Sequence, residues 1–268
     1  MSAPSTLRRL RVGCVSYLNA KPLIYGLEND RDVDLKLAVP ANLLAGLQAG
    51  EFDVALLPVI DYQRLDDARI VPVGGIGCDG PTLTVRIFSR KPIEQIQELA
   101  CDTESHTSVA LARIVLARRY GIRPEFRELP PEKNGMEKTG TGAVLLIGDK
   151  VVCDEPRGMP HQLDLGEAWK QFTGMPFVFA VWITRAGIDL GDLPDRLRRA
   201  REQGMANLPA IVRRDAVSRG WPADLAMKYL SRHLKFEIGK RELDAVRLFH
   251  RLAREDGLVE SARELELY

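Results

Sequence analysis

The first sixty residues alternate short apolar runs with segments that carry helix signals. The apolar runs are RVGCVSYL, DLKLAV and FDVALLPV, and between them lie a helix beginning near Pro22 and the segment PANLLAGLQAG. In the latter, Pro40 and Gly50 stand where helices begin and end, and Leu43 and Leu47 share one face. This β-α-β-α-β order predicts a largely parallel sheet with helices on both sides.

A second alternation occupies the middle of the chain. The strand TLTVRIFS is followed by LACDTES, the helix SVALARIVLARRYG, the strand EFREL, then GAVLLIGDKVV and PFVFAVWIT. Beyond Arg185 the pattern becomes wholly helical, with amphipathic stretches at 193–205, 223–233 and 242–254. The middle segment therefore predicts its own α/β unit, and the C-terminal helices need a surface on which to pack.

The economical arrangement is an α/β protein of two lobes. Domain I would comprise residues 1–86 and 184–268, and domain II, residues 87–183, would be inserted between them. Strands near 85–88 and 180–183 would cross between the lobes as a hinge. Such proteins bind ligands in the cleft, where strand ends and helix starts converge.

Composition and charge exclude several classes of protein. A hydrophobic fraction of 45% excludes a disordered chain, and 38 basic against 37 acidic residues leave a net charge of +1. No global field therefore favours nucleic acid or an anionic membrane, and any selectivity for anions must be local.

The chain also lacks the signals of secretion and of membrane insertion. Residues 1–10 have no long apolar core followed by a small-residue cleavage site. The apolar run PFVFAVWI stops well short of the ~20 residues that span a bilayer. We expect a cytoplasmic protein with no membrane partner.

The remaining motifs do not indicate a cofactor. Four cysteines are scattered without a CxxC pair or a Cys/His cluster, which indicates reduced and mostly buried thiols. The dinucleotide, phosphate-loop, zinc-protease and hydrolase motifs are missing. Neither a nucleotide nor a metal is predicted.

The segment VSYLNAKPL places Ser16, Tyr17, Asn19 and Lys21 at the end of the first strand. Polar residues at such a strand-to-helix turn face the cleft, and helix N–H groups favour an anion. Asn19 offers both a donor and an acceptor to a carboxylate or hydroxyl. Capping of its own helix is an equally good explanation of Asn19.

The segment CDTESHTSVAL has the same arrangement of polar residues at a strand-to-helix turn, in the middle of the chain. Ser105, Thr107 and Ser108 form a polar turn between a strand end and an amphipathic helix. The turn is a second candidate anion site, although Ser105 or Thr107 could simply cap the helix. Two such turns from opposite lobes suit a ligand with two negative groups.

Two further positions are candidates for the cleft. LLIGDKVV ends an apolar strand with Gly148, which allows close approach, and Asp149, a possible general base or hydrogen-bond acceptor. An Asp after Gly is also an ordinary turn residue. Pro58, at the end of DVALLPV, is expected to shape the cleft rim.

Five segments together resemble, in order, the chorismate dehydratases of the menaquinone pathway. They are VSYLNAKPL, GPTLTVRIFS, DTESHTSVAL, VLLIGDK and DLGEAWKQFTGMPFVFAVW, and they cover residues 12–182 almost continuously. The resemblance implies a type II periplasmic-binding-protein architecture turned into an enzyme. It also implies a small dicarboxylate substrate, chorismate, converted to 3-[(1-carboxyvinyl)oxy]benzoate and water on the futalosine route, by a monomer or homodimer.

The resemblance also assigns roles to residues. The family's Asn in the YLN turn and its Ser in the crossing strand fall on Asn19 and Thr84, expected nearest the reacting carbons. The turn from Ser105 to Ser108 would hold a carboxylate. The base would be Asp149 or the substrate's own enolpyruvyl carboxylate.

Two departures from the family's pattern concern these positions. Thr84 keeps the hydroxyl of the usual Ser but adds a methyl group, and His106 replaces the usual Arg of SRTS. Arg86 lies on the same strand face as Thr84, so we hypothesise that it supplies the missing cation.

Two other functions fit the same pattern. The sister enzyme, 1,4-dihydroxy-6-naphthoate synthase, uses a histidine, and His106 is the histidine nearest to a motif. A non-catalytic cytoplasmic solute-binding protein would share the two lobes and would bind its ligand without turnover.

Overall fold

A computed structural model describes residues 9–102, 105–129 and 140–268, and its strands form two sheets. The first sheet has six strands in the order β11-β4-β10-β3-β1-β2, and the second has five in the order β7-β6-β8-β5-β9. The strands are β1 (Leu10–Cys14), β2 (Val33–Leu37), β3 (Val54–Pro58), β4 (Ala68–Cys78), β5 (Val85–Ser89), β6 (Glu98–Cys101), β7 (Glu125–Glu128), β8 (Ala143–Ile147), β9 (His161–Asp164), β10 (Phe177–Arg185) and β11 (Leu234–Lys235).

Both sheets are mixed, whereas the alternation of elements predicts largely parallel ones. In the first sheet β1 pairs in parallel with β2 and β3, while β10 runs antiparallel to β3 and β4. In the second sheet β6 is parallel to β7 and β8, and β5 is antiparallel to β8 and β9. The strands that flank the two connections between the lobes, β5 and β10, are antiparallel to their neighbours. Each sheet therefore contains both parallel and antiparallel pairs.

The chain passes between the sheets twice. It leaves the first sheet after Cys78 and enters the second at Val85, and it returns to the first sheet at Phe177. The two strands expected to cross the hinge therefore each lie within one sheet. Residues 177–183, assigned above to the inserted domain, belong to the first sheet because β10 hydrogen-bonds between β3 and β4. We propose that the lobes are joined at 79–84 and 174–176.

Helices cover both sheets and dominate the C-terminal part of the chain. The helices are α1 (Pro40–Gln48), α2 (His106–Arg119), α3 (Lys150–Cys153), α4 (Leu165–Thr173), α5 (Leu193–Ala206), α6 (Leu208–Ile211), α7 (Ala223–Lys228) and α8 (Lys240–Glu255). The 3₁₀ helices Leu18–Ile24 and Val59–Arg64 follow β1 and β3, and a π-helical turn, Tyr229–His233, extends α7. The three predicted C-terminal amphipathic stretches thus correspond to α5, to α7 with its extension, and to α8.

An aromatic cluster joins the lobes at the second connection. The ring centroids of Trp169 on α4 and Phe177 on β10 lie 5.2 Å apart, and Phe249 of α8 lies 5.0 Å from Phe177, all edge to face. The indole Nε1 of Trp169 donates to the carbonyl of Pro176 at 2.9 Å. The segment WKQFTGMPFVF therefore forms the junction between the lobes, with Trp169 and residues 176–179 buried.

A glycine sets the position of the first 3₁₀ helix. A Cβ atom at Gly204 on α5 would lie 2.1 Å from the carbonyl oxygen of Pro22. Only glycine allows this close approach, so α5 packs directly against the turn that carries Asn19.

Candidate functional site

A cavity of about 640 Å³, including its opening to solvent, lies between the two lobes. Its walls are mainly apolar with a few convergent polar groups, as small-molecule sites generally are. The lining residues are Val15, Tyr17, Asn19, Pro40, Leu56, Pro58, Ile76, Thr82, Thr84, Val85, Ser105, Ser108, Ile147, Gly148, Phe179, Ala180, Tyr229 and Leu234. None of these described lining residues carries a charge.

Asn19 enters the cavity from the first lobe, on the 3₁₀ helix that follows β1. Its side-chain oxygen Oδ1 is buried and has no hydrogen-bond partner in the described structure. A buried amide oxygen without a donor costs free energy, so a ligand hydroxyl at this position would satisfy it. Helix capping does not explain the residue, because the N-cap is Tyr17 and no side chain caps this helix.

Thr84 enters from the connection between the lobes, and strained backbone positions it. Leu83 has φ 69°, which is unusual for a residue with a side chain. Asp164 holds this turn by accepting the backbone N–H groups of Thr82 at 3.0 Å and Leu83 at 2.8 Å. Thr84 is thereby presented to the cavity with only 2% of its surface exposed.

Tyr229, which the sequence did not single out, is the third polar group of the cavity wall. Its hydroxyl lies 2.7 Å from Thr84 Oγ1, and Asn19 lines the same cavity. Burial raises the pKa of Tyr229, so the group stays a neutral phenol. No local motif marks this residue, because only packing across 145 residues of chain brings it to Thr84.

The start of α2 supplies two hydroxyl groups from the second lobe. Ser105 is the N-cap, and its Oγ accepts from the backbone N–H of Ser108 at 3.2 Å and lies 2.9 Å from Ser108 Oγ. The capping role and the position in the cavity wall therefore coexist. Helix N–H groups and serine hydroxyls together suit an anion without a side-chain cation. Residues 103 and 104 of the same sequence segment lie outside the described residues.

Gly148 and Pro58 complete the predicted positions that line the cavity. Gly148 has φ 61° and donates its N–H to the carbonyl of Thr84 at 2.8 Å. A Cβ there would lie 3.9 Å from the Tyr17 ring. Pro58 ends β3 and begins the 3₁₀ helix Val59–Arg64.

His106 and Thr107 face the first lobe rather than the cavity. His106 Nδ1 lies 2.9 Å from the fully buried carboxylate of Asp61, which also pairs with Arg64 at 3.1 Å. Thr107 Oγ1 accepts from the backbone N–H of Ile60 at 3.3 Å. Both residues therefore join the lobes, His106 through the buried Asp61 and Thr107 through the backbone of Ile60.

Asp149 also bridges the lobes and does not line the cavity. Its oxygens accept from Arg219 Nη1 at 3.0 Å and from Trp221 Nε1 at 2.9 Å. Arg219 donates further to the carbonyl of Ser16, so the exposed Ser16 contributes its backbone.

Lys21 and Arg86 lie outside the cavity wall as well. Lys21 pairs with Asp215 at 3.6 Å. Arg86 donates to Gln162 at 3.0 Å and lies 3.6 Å from Asp164. The structure thus does not bring Arg86 to the position of the missing cation, because the carboxylate of Asp164 holds it on the second sheet.

Two lobes around a cavity define a fold of the periplasmic-binding-protein type, and solved structures of this type superpose on the chain. A protein from Archaeoglobus fulgidus matches with a TM-score of 0.75 and 16% identity, over 93% of this chain and 98% of its own. The alkanesulfonate-binding protein from Xanthomonas axonopodis pv. citri, bound to MOPS, matches with 0.73 and 12%, over 98% of each chain. The predicted fold class is confirmed.

The family within this class follows from the sequence. The family model for menaquinone biosynthesis matches residues 10–255, so the chain belongs to that family. A chorismate dehydratase from Thermus thermophilus is 29% identical over 243 residues, which are 84% of this chain and 88% of the relative. The resemblance found in the five sequence segments is confirmed. No helix in the described part of the chain is both long enough and apolar enough to cross a bilayer.

Proposed function

We propose that this protein is a chorismate dehydratase that converts chorismate to 3-[(1-carboxyvinyl)oxy]benzoate and water. Family membership and the Thermus thermophilus relative support this assignment. The observation that carries it is the pairing of Asn19, with an unpartnered buried oxygen, and Thr84 on one wall of an apolar cavity.

The reaction balances without an oxidant or a cofactor. Chorismate loses the hydrogen from the ring carbon that bears the enolpyruvyl ether and the hydroxyl group from the neighbouring carbon. The two leave together as water, and the electron pair of the C–H bond completes an aromatic ring. The ring carboxylate acidifies that hydrogen through the conjugated double bond, so the protein mainly fixes geometry and stabilises developing charge.

The start of α2 is the proposed site for the ring carboxylate. Ser105 and Ser108 present hydroxyl groups there, beside the N–H groups of a helix of 14 residues. Asn19 and Thr84 then lie at the departing hydroxyl group. Their amide and hydroxyl groups can hold the oxygen as charge develops on it.

The base is proposed to be the substrate's enolpyruvyl carboxylate. Asp149, the other candidate, has its two oxygens on Arg219 and Trp221 and does not line the cavity. The substrate carboxylate is attached to the same ring carbon through the ether, so it reaches the hydrogen intramolecularly.

The histidine-dependent sister activity has less support. No histidine is among the described residues that line the cavity, and His106 is paired with Asp61. A plain binding protein would share the cavity but would not turn its ligand over.

The test is to incubate the purified protein with chorismate and to follow the aromatic product by absorbance and mass. We expect loss of one water, with kcat/KM at least about 100-fold lower in Asn19→Ala, as for removal of other charge-stabilising groups. Asn42→Ala, an exposed position on α1, is the control and should match wild type. Binding of chorismate without turnover would establish the binding protein, and turnover of a cyclised futalosine instead would establish the sister enzyme.

A further inference from the structure

We infer that Tyr229 is a positioning residue that makes Asn19 a hydrogen-bond acceptor and Thr84 a hydrogen-bond donor toward the substrate. Tyr229 is 1% exposed, its hydroxyl lies 2.7 Å from Thr84 Oγ1, and it lines the cavity together with Asn19 and Thr84. The inference rests on the proposed function, because it assigns directions to the bonds that the substrate would meet.

The direction follows from counting protons. The amide of Asn19 carries its N–H groups on Nδ2, and its Oδ1 has no partner in the described structure. When Nδ2 donates to the phenol oxygen, the phenol directs its one proton to Thr84 Oγ1, 2.7 Å away. The proton of Thr84 is then left to point into the cavity.

The resulting chain presents two different groups to one substrate hydroxyl. Asn19 Oδ1 accepts the hydroxyl hydrogen in the bound substrate. Thr84 donates to the same oxygen as its bond to carbon breaks and negative charge develops there. If Tyr229 were absent, the Thr84 proton would be free to turn toward other acceptors, and the donor would no longer be preset.

The phenol is held rigidly by residues that join the lobes. Trp221 stacks on Tyr229 with centroids 5.0 Å apart and planes 21° from parallel. Trp221 in turn donates to Asp149 of the second lobe at 2.9 Å. The stack on Tyr229 is thereby tied to the second lobe.

The test compares Tyr229→Phe with wild type in the chorismate assay. We expect kcat to fall at least about tenfold, equivalent to one hydrogen bond in the transition state, with KM within about threefold. Tyr62→Phe is the matched control. Tyr62 is fully buried and its hydroxyl also makes two hydrogen bonds, to the backbone of Glu264 and Glu266, but it does not line the cavity. The kcat of Tyr62→Phe should equal that of wild type even if the variant has a lower melting temperature.

Variants of Thr84 test the same chain of bonds from its other end. Thr84→Ser keeps the hydroxyl and should stay within about threefold of wild type, whereas Thr84→Val should lose turnover. The double variant Tyr229→Phe/Thr84→Val should lose no more kcat than Thr84→Val alone, because both substitutions break the same chain of hydrogen bonds.

Undiminished kcat in Tyr229→Phe or in Thr84→Val, or additive losses in the double variant, would overturn the inference. Failure of the wild-type protein to convert chorismate would instead overturn the proposed function, so the two failures are distinguishable.

Discussion

His250 lies buried on α8, away from the cavity, and its two ring nitrogens have different partners. Nε2 donates to the carbonyl of Val59 at 2.9 Å, and Nδ1 accepts from the side-chain amide of Gln63 at 2.8 Å. These partners fix the neutral tautomer. Burial lowers the pKa of His250 to about 4.

This histidine should make the free energy of unfolding depend on pH. Between about pH 6.5 and pH 4 this histidine binds a proton in the unfolded chain but not in the folded chain. Its contribution to the free energy of unfolding is therefore fully present above about pH 6.5 and is lost as the pH falls toward 4. We expect a loss of roughly 3 kcal/mol from this group, measured by urea unfolding near pH 7 and near pH 4.

The comparison variant is His250→Gln, whose stability should fall less over the same pH range. His161→Gln, half-buried on β9, should keep the pH dependence of wild type. An equal pH dependence in wild type and His250→Gln would contradict the assignment.

Some cavity residues could be predicted from the sequence because they lie just after predicted strands. Asn19, Ser105, Ser108 and Gly148 all follow apolar strands, and all line the cavity, although their roles with substrate stay predictions. Tyr229 could not be found this way, since it is one aromatic residue in an amphipathic stretch far along the chain. His106 was expected to hold substrate because nothing local indicated its buried partner Asp61.

At the scale of elements, Asp164 links the turn before Thr84 to the start of α4. One carboxylate accepts four backbone N–H groups, those of Thr82, Leu83, Gly166 and Glu167, at 2.8 to 3.1 Å. Gly166 fits because a Cβ there would lie 2.7 Å from the carbonyl of Gly80.

Replacing this carboxylate should damage both stability and turnover. Asp164→Ala removes a helix cap and leaves the strained Leu83 turn without its acceptor, at a cost of about 2–4 kcal/mol in the free energy of unfolding. Because the same turn presents Thr84, kcat should also fall at temperatures where the variant is folded. Asp224→Ala, an exposed position in the first turn of α7, is the control, and equal stability of the two variants would contradict this role.

Most helices and strands follow from local signals, but their arrangement does not. Pro40 begins α1 as predicted, and the motif ending in Gly174 closes α4 with φ 72°. The antiparallel pairing of β10 depends on contacts with strands a hundred residues earlier, which periodicity does not encode. The sequence therefore predicted that strands near 85–88 and 180–183 cross between the lobes. In the structure the crossings lie next to these strands, and each strand belongs to one sheet.

At the scale of the whole molecule, two polar clusters hold the lobes around the cavity. One joins Asp149 to Arg219 and Trp221, and the other joins His106 to Asp61. Both lie outside the cavity wall, so they link the lobes without lining the site itself.

Removing one bridge should weaken substrate binding. Arg219→Ala breaks bonds to Asp149 and to the carbonyl of Ser16, and a loss near 1.4 kcal/mol would raise KM for chorismate about tenfold. The radius of gyration from X-ray scattering should rise in the variant and fall again with product. Arg232→Ala, exposed in the same region, should match wild type, and an unchanged KM in Arg219→Ala would refute the role of this bridge.

The most direct test of a closed, chorismate-converting cavity is a crystal structure with 3-[(1-carboxyvinyl)oxy]benzoate bound. We predict the ring between the lobes, its carboxylate on Ser105 and Ser108, and the carbon that lost the hydroxyl group within about 4 Å of Asn19 and Thr84. Product bound elsewhere, for example in the exposed groove between Asp79 and Arg201, or a ring turned away from Asn19 and Thr84, would contradict this account.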